Sequence, residues 1–296
     1  MTSDEQKAVE TLELLYKAPS LNPISAMPDR LYHYTSTGGL VGIVSSGVLR
    51  ASNFSYLNDS AEIQYGREIA RTVIKAYIES NQSSAHREVF VRAKKTLDDV
   101  GMGVEFYLAC FCTEADLLSQ WRSYGSAKGG FCIGFDTKAL PDSGLKYSLS
   151  RALYDLGEQQ QNVKQAIDSA AQALSVGSSA DFLDRVHDLF TRKVIGKICF
   201  FKHPGFAEEK EWRAVHQFES ADQIKFDTSS GIIKPFVDLW TCSDQRSGQV
   251  RLPIAEVIIG ASVFSSQSKK ALELLLNQYG YRNLEIRESF VPFRDF

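Results

Sequence analysis

The segment Phe206–Val215, FAEEKEWRAV, places charged side chains where a buried strand is normally apolar. Read as a β-strand, its period-two alternation puts Glu209, Glu211 and Arg213 on one face. Two carboxylates this close need a cation, a ligand or open water beside them, because two ionised acids are costly to bury together. Arg213 is a candidate for that cation. The Pro-Gly turn that precedes the segment predicts that the carboxylates begin a strand beside a loop, where a substrate has access.

This charged segment also has a simpler interpretation. A solvated edge strand with an ion pair between nearby side chains would have the same pattern, and such an edge would serve as an interaction surface. A catalytic interpretation therefore depends on other polar residues that reach the same place.

A second polar group lies in the short predicted strand Leu31–Thr35 and at its end. It consists of His33, Tyr34 and Thr35, ahead of hydroxyl residues that can cap a helix. His33 is equally compatible with a core histidine that bonds to the backbone. The chemistry of this group therefore depends on what faces it across the fold.

A third polar group, Ser119–Tyr124, lies between two apolar segments of strand length. Trp121 and Tyr124 carry rings that can stack on a ligand, and Arg122 can bind a pyrophosphate through two parallel hydrogen bonds. The spacing does not decide between the two aromatic residues, and a place in the core would explain either of them.

The composition indicates a globular protein without a general attraction to nucleic acid. The formal net charge is −3, so nucleic-acid binding would depend on a local basic patch, and none stands out. No apolar run approaches the roughly 18 residues of a membrane span, and the N-terminus lacks the layout of a signal peptide. These features predict a cytoplasmic location and no membrane partner. The sequence carries no indication of the oligomeric state.

The cysteines predict free, reduced thiols and no bound metal, because their number is odd and no CxxC spacing occurs. Cys110 and Cys112 share a strand face and would form an alternative metal site with His203, but small buried apolar residues explain the pair more simply. The five cysteines are Cys110, Cys112, Cys132, Cys199 and Cys242.

Hydrophobic periodicity and turn residues predict a helical arm, residues 1–30, followed by one domain, residues 31–296. Strands and helices are mixed without regular βαβ order, so the predicted fold class is α+β. Predicted helices follow Thr35 up to Gly47, begin at the capping box 59–62, and cover about 155–174, 181–198 and 266–278. Predicted strands cover 31–35, 48–52, 105–112, 129–135, 206–215, 256–260 and about 284–286.

Six motifs along the chain carry a resemblance to a known family. In order they are LYHYTS, FSYLND, LSQWRSYG, GGFCIGFD, FAEEKEWR and EVIIG. Together, over about residues 31–260, they resemble the bacterial domain of unknown function 2971 (DUF2971) family. The first of them opens LYHYTSTGGLVGIVSSGVLRAS, which more remotely resembles the strand, helix and strand that open ADP-ribosyltransferase-like domains. That second resemblance implies a split, mixed β-sheet core with flanking helices.

The resemblance to the His-Tyr-Glu class of ADP-ribosyltransferases implies a role for each carboxylate. Glu211 would orient the nicotinamide ribose of NAD and stabilise its oxocarbenium ion, because positive charge grows on the sugar as neutral nicotinamide leaves. Glu209 would be the first glutamate of an E-x-E pair and would orient the acceptor nucleophile.

The same resemblance implies how NAD would be held. His33 would bond the adenosine ribose, and the backbone around Tyr34 and Thr35 would be available to the carboxamide. Tyr124 would stack on nicotinamide. This part of the chain departs from the class, because Trp121 can stack equally well and Arg122 is available to the pyrophosphate.

The sequence thus predicts an NAD-dependent ADP-ribosyltransferase-like enzyme that uses NAD as its substrate and no metal. The reaction would be transfer of ADP-ribose to a macromolecular acceptor, protein or nucleic acid, or hydrolysis of NAD. By resemblance, the role would be that of a bacterial toxin or phage-defence effector. The alternative is a non-catalytic sensor that binds a nucleotide or a nucleic-acid end in the same cleft.

Overall fold

Ten β-strands form one mixed sheet in the part of the chain that the computed structural model describes. That part comprises residues 1–17, 27–56, 60–81, 84–98, 106–124, 130–140, 147–217, 223–228, 231–241, 251–261 and 265–291. The strands are β1 Arg30–Ser36, β2 Val48–Asn53, β3 Phe106–Cys112, β4 Gly130–Asp136, β5 Tyr147–Arg151, β6 Glu211–Gln217, β7 Lys225–Asp227, β8 Lys234–Thr241, β9 Ile254–Ile259 and β10 Glu285–Glu288.

Helices cover both faces of this sheet. They are α1 Ser3–Lys17, α2 Thr37–Ser46, α3 Ser60–Ser80, α4 Ser84–Asp98, α5 Leu118–Tyr124, α6 Leu156–Leu174, α7 Ala180–Ile198 and α8 Ser265–Gln278. One core joins α1, α3, α4, α6 and α7 to one face of the sheet, and a second core joins α2 and α8 to the other face. None of the described helices combines the length and the apolar composition needed to cross a membrane. The predicted α+β class is confirmed.

The sheet divides at β3, and this division positions the cleft described below. One edge of β3 pairs with β6 along its whole length, from Phe106↔Gln217 to Cys112↔Glu211. The other edge pairs with β1 at Tyr32↔Cys112 and with β2 at Ser52↔Leu108 and the next position. Between those contacts β1 and β2 diverge from β3, which opens the sheet.

The outer strands continue from the two sides of this opening. The order along the sheet is β10-β9-β4-β1-β3-β2-β8-β7, with β6 on β3 and β5 on β6. Neighbouring strands are antiparallel except β9 and β10, which are parallel. Two half-sheets therefore meet at β3.

The connection between β1 and β2 has the local signals that its sequence predicts. The Ser36 hydroxyl accepts a hydrogen bond from the Gly39 amide at the start of α2, and Gly47 ends the helix with φ of 64°. Glycine suits this position because the left-handed conformation is strained for other residues. Leu40 and Val44 are buried against the sheet. The predicted strand, helix and strand at the start of the domain are confirmed.

The predicted strand over 206–215 is wrong in its first half. Pro204–Glu209 forms a 3-10 turn, and Lys210 has φ of 44°, so β6 begins only at Glu211. Pro204 starts the turn, and the ring of His203 accepts a hydrogen bond from the Gly205 amide. These local bonds favour a turn over an extended chain.

Other sequence predictions fare differently. α1 lies against α6 and α7, with the Tyr16 hydroxyl 2.9 Å from the carbonyl oxygen of Ala166. The sequence did not predict α4, β5, β7 or β8, whose patterns are too polar or too short. The described residues do not include Asn58 of the FSYLND motif, Asp59 of the predicted capping box, Gly125 of the LSQWRSYG motif, Cys242 or residues 18–26 of the predicted arm.

Candidate active site

A cleft of about 650 Å³ opens where β1 and β2 diverge. β1 and the start of α2 form one wall, β2 forms the other, and Leu108, Ala109 and Cys110 of β3 lie at its base. His33 and Glu211 both line this cleft. Side chains from two strands that do not pair with each other, β1 and β6, therefore line one cleft.

The hydrogen bonding of His33, which lines the cleft, defines the role of each ring nitrogen. Its Nδ1 lies 2.9 Å from the carbonyl oxygen of Cys110. A carbonyl only accepts, so Nδ1 carries the proton in this bond. Burial lowers the pKa of His33, which keeps the ring neutral at pH 7. Nε2 is then a hydrogen-bond acceptor and can take a proton from a ligand hydroxyl.

Glu211 belongs to a buried ion cluster at the base of the cleft. Its Oε1 lies 2.9 Å from Nε of Arg213, and its Oε2 lies 2.6 Å from Nζ of Lys202. The Cys110 thiol adds a hydrogen bond. Burial by itself would raise the pKa of Glu211, but the charges of Arg213 and Lys202 outweigh it and lower the pKa to about 2. Glu211 is therefore ionised at neutral pH.

Two more carboxylates complete this cluster. Glu62 of α3 contacts both cations, with Oε1 3.1 Å from Lys202 and Oε2 bonded to Arg213. Glu209 reaches Lys202 at 2.6 Å. These three carboxylates against two cations give the cluster a formal net charge of −1. The site can thus stabilise positive charge on a ligand.

Lys202 connects these carboxylates because of where α7 ends. It follows the last turn of that helix, and its backbone amide bonds the carbonyl oxygen of Leu153. Burial would lower the pKa of Lys202, but Glu211 and Glu62 raise it above its ordinary value. The ammonium therefore stays charged although it is buried. The turn that follows also brings Glu209 to Lys202, so the two glutamates converge without sharing a strand.

Two other predicted site residues, Thr35 and Tyr124, line the cleft. Tyr124 ends α5 and is 40% exposed. Burial of its hydroxyl, together with the nearby charge of Glu211, raises the pKa of Tyr124, so the phenol is neutral. An exposed aromatic ring beside Glu211 is able to stack on a planar ligand.

Tyr34, Trp121 and Arg122 are not brought into the cleft. Tyr34 and Trp121 are buried together, ring edge to ring face at 4.8 Å between centroids. The Trp121 indole donates to Asp116 at 2.6 Å, and the Tyr34 hydroxyl donates to the carbonyl oxygen of Glu114. Arg122 is exposed and does not line the cleft. Stacking by Trp121 and pyrophosphate binding by Arg122 thus have no support in this geometry, whereas the core placement of Trp121 does.

Glu209 is also displaced from its expected position. It bonds the cluster through Lys202 but is not among the residues that line the cleft. The sequence placed it beside Glu211 on one strand face. The left-handed conformation of Lys210 instead turns the chain between the two glutamates.

Sequence reasoning missed five charged residues that line the cleft, which are Arg50, Glu62, Lys202, Asp227 and Lys234. Glu62 was interpreted only as part of a capping box, and Lys202 only as the start of a turn. Arg50 and Lys234 carry no local motif. A signal did exist for Lys202, because an isolated lysine ahead of an E-x-E pair is a candidate partner for it.

The described cysteines are Cys110, Cys112, Cys132 and Cys199, all with free thiols. Burial raises the pKa of Cys110 well above its ordinary value, which keeps this thiol protonated and unreactive. No three side chains of His, Cys, Asp or Glu in the described ranges converge as a metal ion would require.

Comparison with known proteins gives one family. Residues 120–214 match the model of a family described as Protein of unknown function (DUF2971). The resemblance to that family is thus confirmed over a stretch that includes Tyr124, Lys202, Glu211 and Arg213. Neither the curated proteins nor the solved structures include a match to this chain.

Proposed function

We propose that this protein cleaves NAD at the nicotinamide–ribose bond, as an ADP-ribosyltransferase or an NAD glycohydrolase. The observation that carries the proposal is that His33 and Glu211 line the same cleft, at the point where the sheet divides. The ADP-ribosyltransferase-like fold belongs to this proposal, supported by the divergence of β1 and β2 from one edge of β3.

The charge in the cleft suits the loss of nicotinamide. As the neutral leaving group departs, positive charge develops on the ribose. Glu211 is ionised, and the ion cluster to which it belongs has a formal net charge of −1. The cluster therefore stabilises the positive charge on the ribose more strongly in the transition state than in the ground state. The carboxylate is held in place before the reaction, which removes a reorganisation cost.

The remaining groups supply binding and orientation. Nε2 of His33 accepts a bond from a ribose hydroxyl, and Thr35 offers a hydroxyl and backbone groups farther along the same wall. The ring of Tyr124 stacks on the nicotinamide or its ribose. Glu209 then orients an attacking group through Lys202 rather than by direct contact.

The acceptor decides between transfer and hydrolysis. Attack by water gives free ADP-ribose, whereas attack by a side chain or nucleic-acid group gives transfer to a macromolecule. The second outcome is the one that a toxin or phage-defence effector would use. Mass spectrometry of protein and RNA incubated with the protein and NAD distinguishes the two.

Glu211→Gln tests the catalytic proposal. The amide keeps the volume of the side chain but removes its charge, so we expect nicotinamide release from NAD to fall by about 10²–10³-fold. Glu208→Gln is the matched control, because Glu208 lies exposed in the turn just before β6. Thermal melting of both variants separates lost activity from lost fold. Equal nicotinamide release by Glu211→Gln and parent, or none by the parent, contradicts the proposal.

One observation favours a second candidate, a non-catalytic nucleotide sensor. Both oxygens of Glu211 already accept bonds from Arg213 or Lys202, so a ligand must share them. A sensor would bind NAD and leave it intact. Calorimetry with NAD, followed by chromatography of the recovered ligand, supports the sensor if NAD binds and is returned unchanged.

A further inference from the structure

Four cations among the described residues line the cleft, and two of them are paired with carboxylates of the same cleft. Lys202 and Arg213 are bound to the carboxylates of Glu62 and Glu211. Arg50 of β2 and Lys234 of β8 line the cleft on its other side. Within the described ranges no carboxylate contacts either of these two side chains.

The Arg50 guanidinium is held in a defined position. Its Cζ lies 4.3 Å from the centroid of the Phe236 ring, a cation–π arrangement. Asp238 lies directly across from Arg50 in the strand register but is bound by Lys225. The aromatic ring therefore holds the guanidinium without using its N–H groups, which stay available to a ligand.

Lys234 extends this positive region along the same face. Residues 234 and 236 are two positions apart on β8, so Lys234 and Phe236 point to one side of the sheet. Asp227 lies opposite Lys234 in the register and also lines the cleft. Among the described lining residues, two cations against one carboxylate give this end a net positive charge, whereas the cluster around Glu211 has a net negative charge.

The separation between the two ends matches a nucleotide. β3 lies between β2 and β6, and β2 has already diverged from β3 at Arg50, so the backbones that carry Arg50 and Glu211 are more than two interstrand spacings apart, that is, more than about 10 Å. A nucleotide whose ribose lies beside Glu211 places its phosphates several bonds away, on the side of Arg50. The cleft thus has one end for developing positive charge and another for anionic oxygens.

We infer that Arg50 and Lys234 bind the pyrophosphate of the ligand, so the substrate is a nucleotide that carries a pyrophosphate and not an uncharged nucleoside. This inference deepens the proposed function and rests on its nucleotide ligand. A planar guanidinium binds two phosphate oxygens in parallel, and Lys234 adds a point charge beside it.

Calorimetry with ADP and with adenosine tests the inference, because the two ligands differ only in the phosphates. We expect Arg50→Gln and Lys234→Gln each to weaken ADP binding by about 10- to 100-fold. Adenosine binding is expected to stay within about twofold. Lys269→Gln is the matched control, since Lys269 lies exposed on α8 outside the cleft. Melting curves show whether each variant folds. If one of the two variants does not fold, the other still tests the inference.

The outcomes separate this inference from the catalytic proposal. ADP binding that depends on Arg50, without any NAD cleavage by the parent, supports the pyrophosphate site and removes the catalytic proposal. NAD cleavage with ADP binding unaffected by both substitutions overturns the inference alone. No ADP binding to the parent also overturns it. A short single-stranded oligonucleotide that binds through Arg50 while ADP does not would assign the site to nucleic acid and likewise overturn the inference.

Discussion

The guanidinium of Arg213 holds both carboxylate oxygens of Glu211, with Nε 2.9 Å from Oε1 and Nη2 3.0 Å from Oε2. The two residues alternate on one strand face, so the strand geometry itself brings them together. Arg213 is almost fully buried and also bonds the carbonyl oxygen of Cys199. The arginine therefore both neutralises and immobilises the carboxylate that faces the cleft.

Stability at acid pH should depend on Glu211. Its pKa in the folded protein is about 2, below the ordinary 4.5. A lowered pKa contributes stability that is present above pH 4.5 and is lost as the pH falls towards 2, by about 3 kcal/mol. Urea unfolding between pH 6 and pH 3 should show a smaller loss in Glu211→Gln than in the parent. If the free energy of unfolding fell equally with pH in Glu211→Gln, Glu208→Gln and the parent, the lowered pKa of Glu211 would be contradicted.

Lys197 should destabilise the protein at neutral pH. Its Nζ is buried with Asn162 Oδ1 as a partner at 2.9 Å, and burial lowers its pKa from 10.5 to about 8. Below pH 8 both states carry the proton and the folded state bears the full desolvation cost, so stability rises as the pH increases from 8 towards 10.5.

We expect Lys197→Met to raise the free energy of unfolding at pH 7 by about 2 kcal/mol, after the loss of the bond to Asn162. The rise of stability above pH 8 should become smaller. Lys164→Met, at an exposed position on α6, is the control and should change little. Lower stability of Lys197→Met at pH 7 would show that the ammonium is better solvated than its burial indicates.

Substitutions at Trp121 and at Tyr124 should have different effects, the first mainly on stability and the second mainly on activity. Trp121 is 2% exposed, so Trp121→Ala should cost about 3–5 kcal/mol of unfolding free energy. Tyr124→Ala should cost less than about 1.5 kcal/mol of unfolding free energy but raise the KM for NAD about tenfold, because we propose that the exposed ring stacks on the ligand. Melting curves and nicotinamide-release kinetics measure the two effects. A normal KM in Tyr124→Ala would remove its stacking role.

Gly134 should tolerate no side chain. A Cβ at this position would lie 2.8 Å from Cγ of Glu256 and 2.9 Å from Cε1 of Tyr32, two residues joined by a buried hydrogen bond. Gly134→Ala should therefore lower the free energy of unfolding by about 1–3 kcal/mol.

Gly42→Ala is the matched contrast to Gly134→Ala, since no atom lies within 4 Å of its Cβ position. We expect this helical substitution to stabilise by about 0.5–1 kcal/mol in chemical denaturation. A neutral Gly134→Ala would mean that the strands move apart easily.

Local patterns in the sequence determined much of the fold. The apolar runs of β3 and β4, the capped and glycine-ended α2, and the period-two pairing of Glu211 with Arg213 all depend on backbone geometry within a few residues. For the same reason, the sequence could place His33 and Glu211 on strands.

Only the tertiary structure decided which residues meet at the cleft. Glu62 and Lys202 join Glu211 because α3 and the end of α7 pack beside β6, and Trp121 turns into the core while Tyr124 does not. Such contacts arise from the pairing of distant strands, whose energy depends on burial and loop closure across the whole chain. A local sequence pattern does not contain these long-range energies, so the residues that pair with a buried charge are identified only in the tertiary structure.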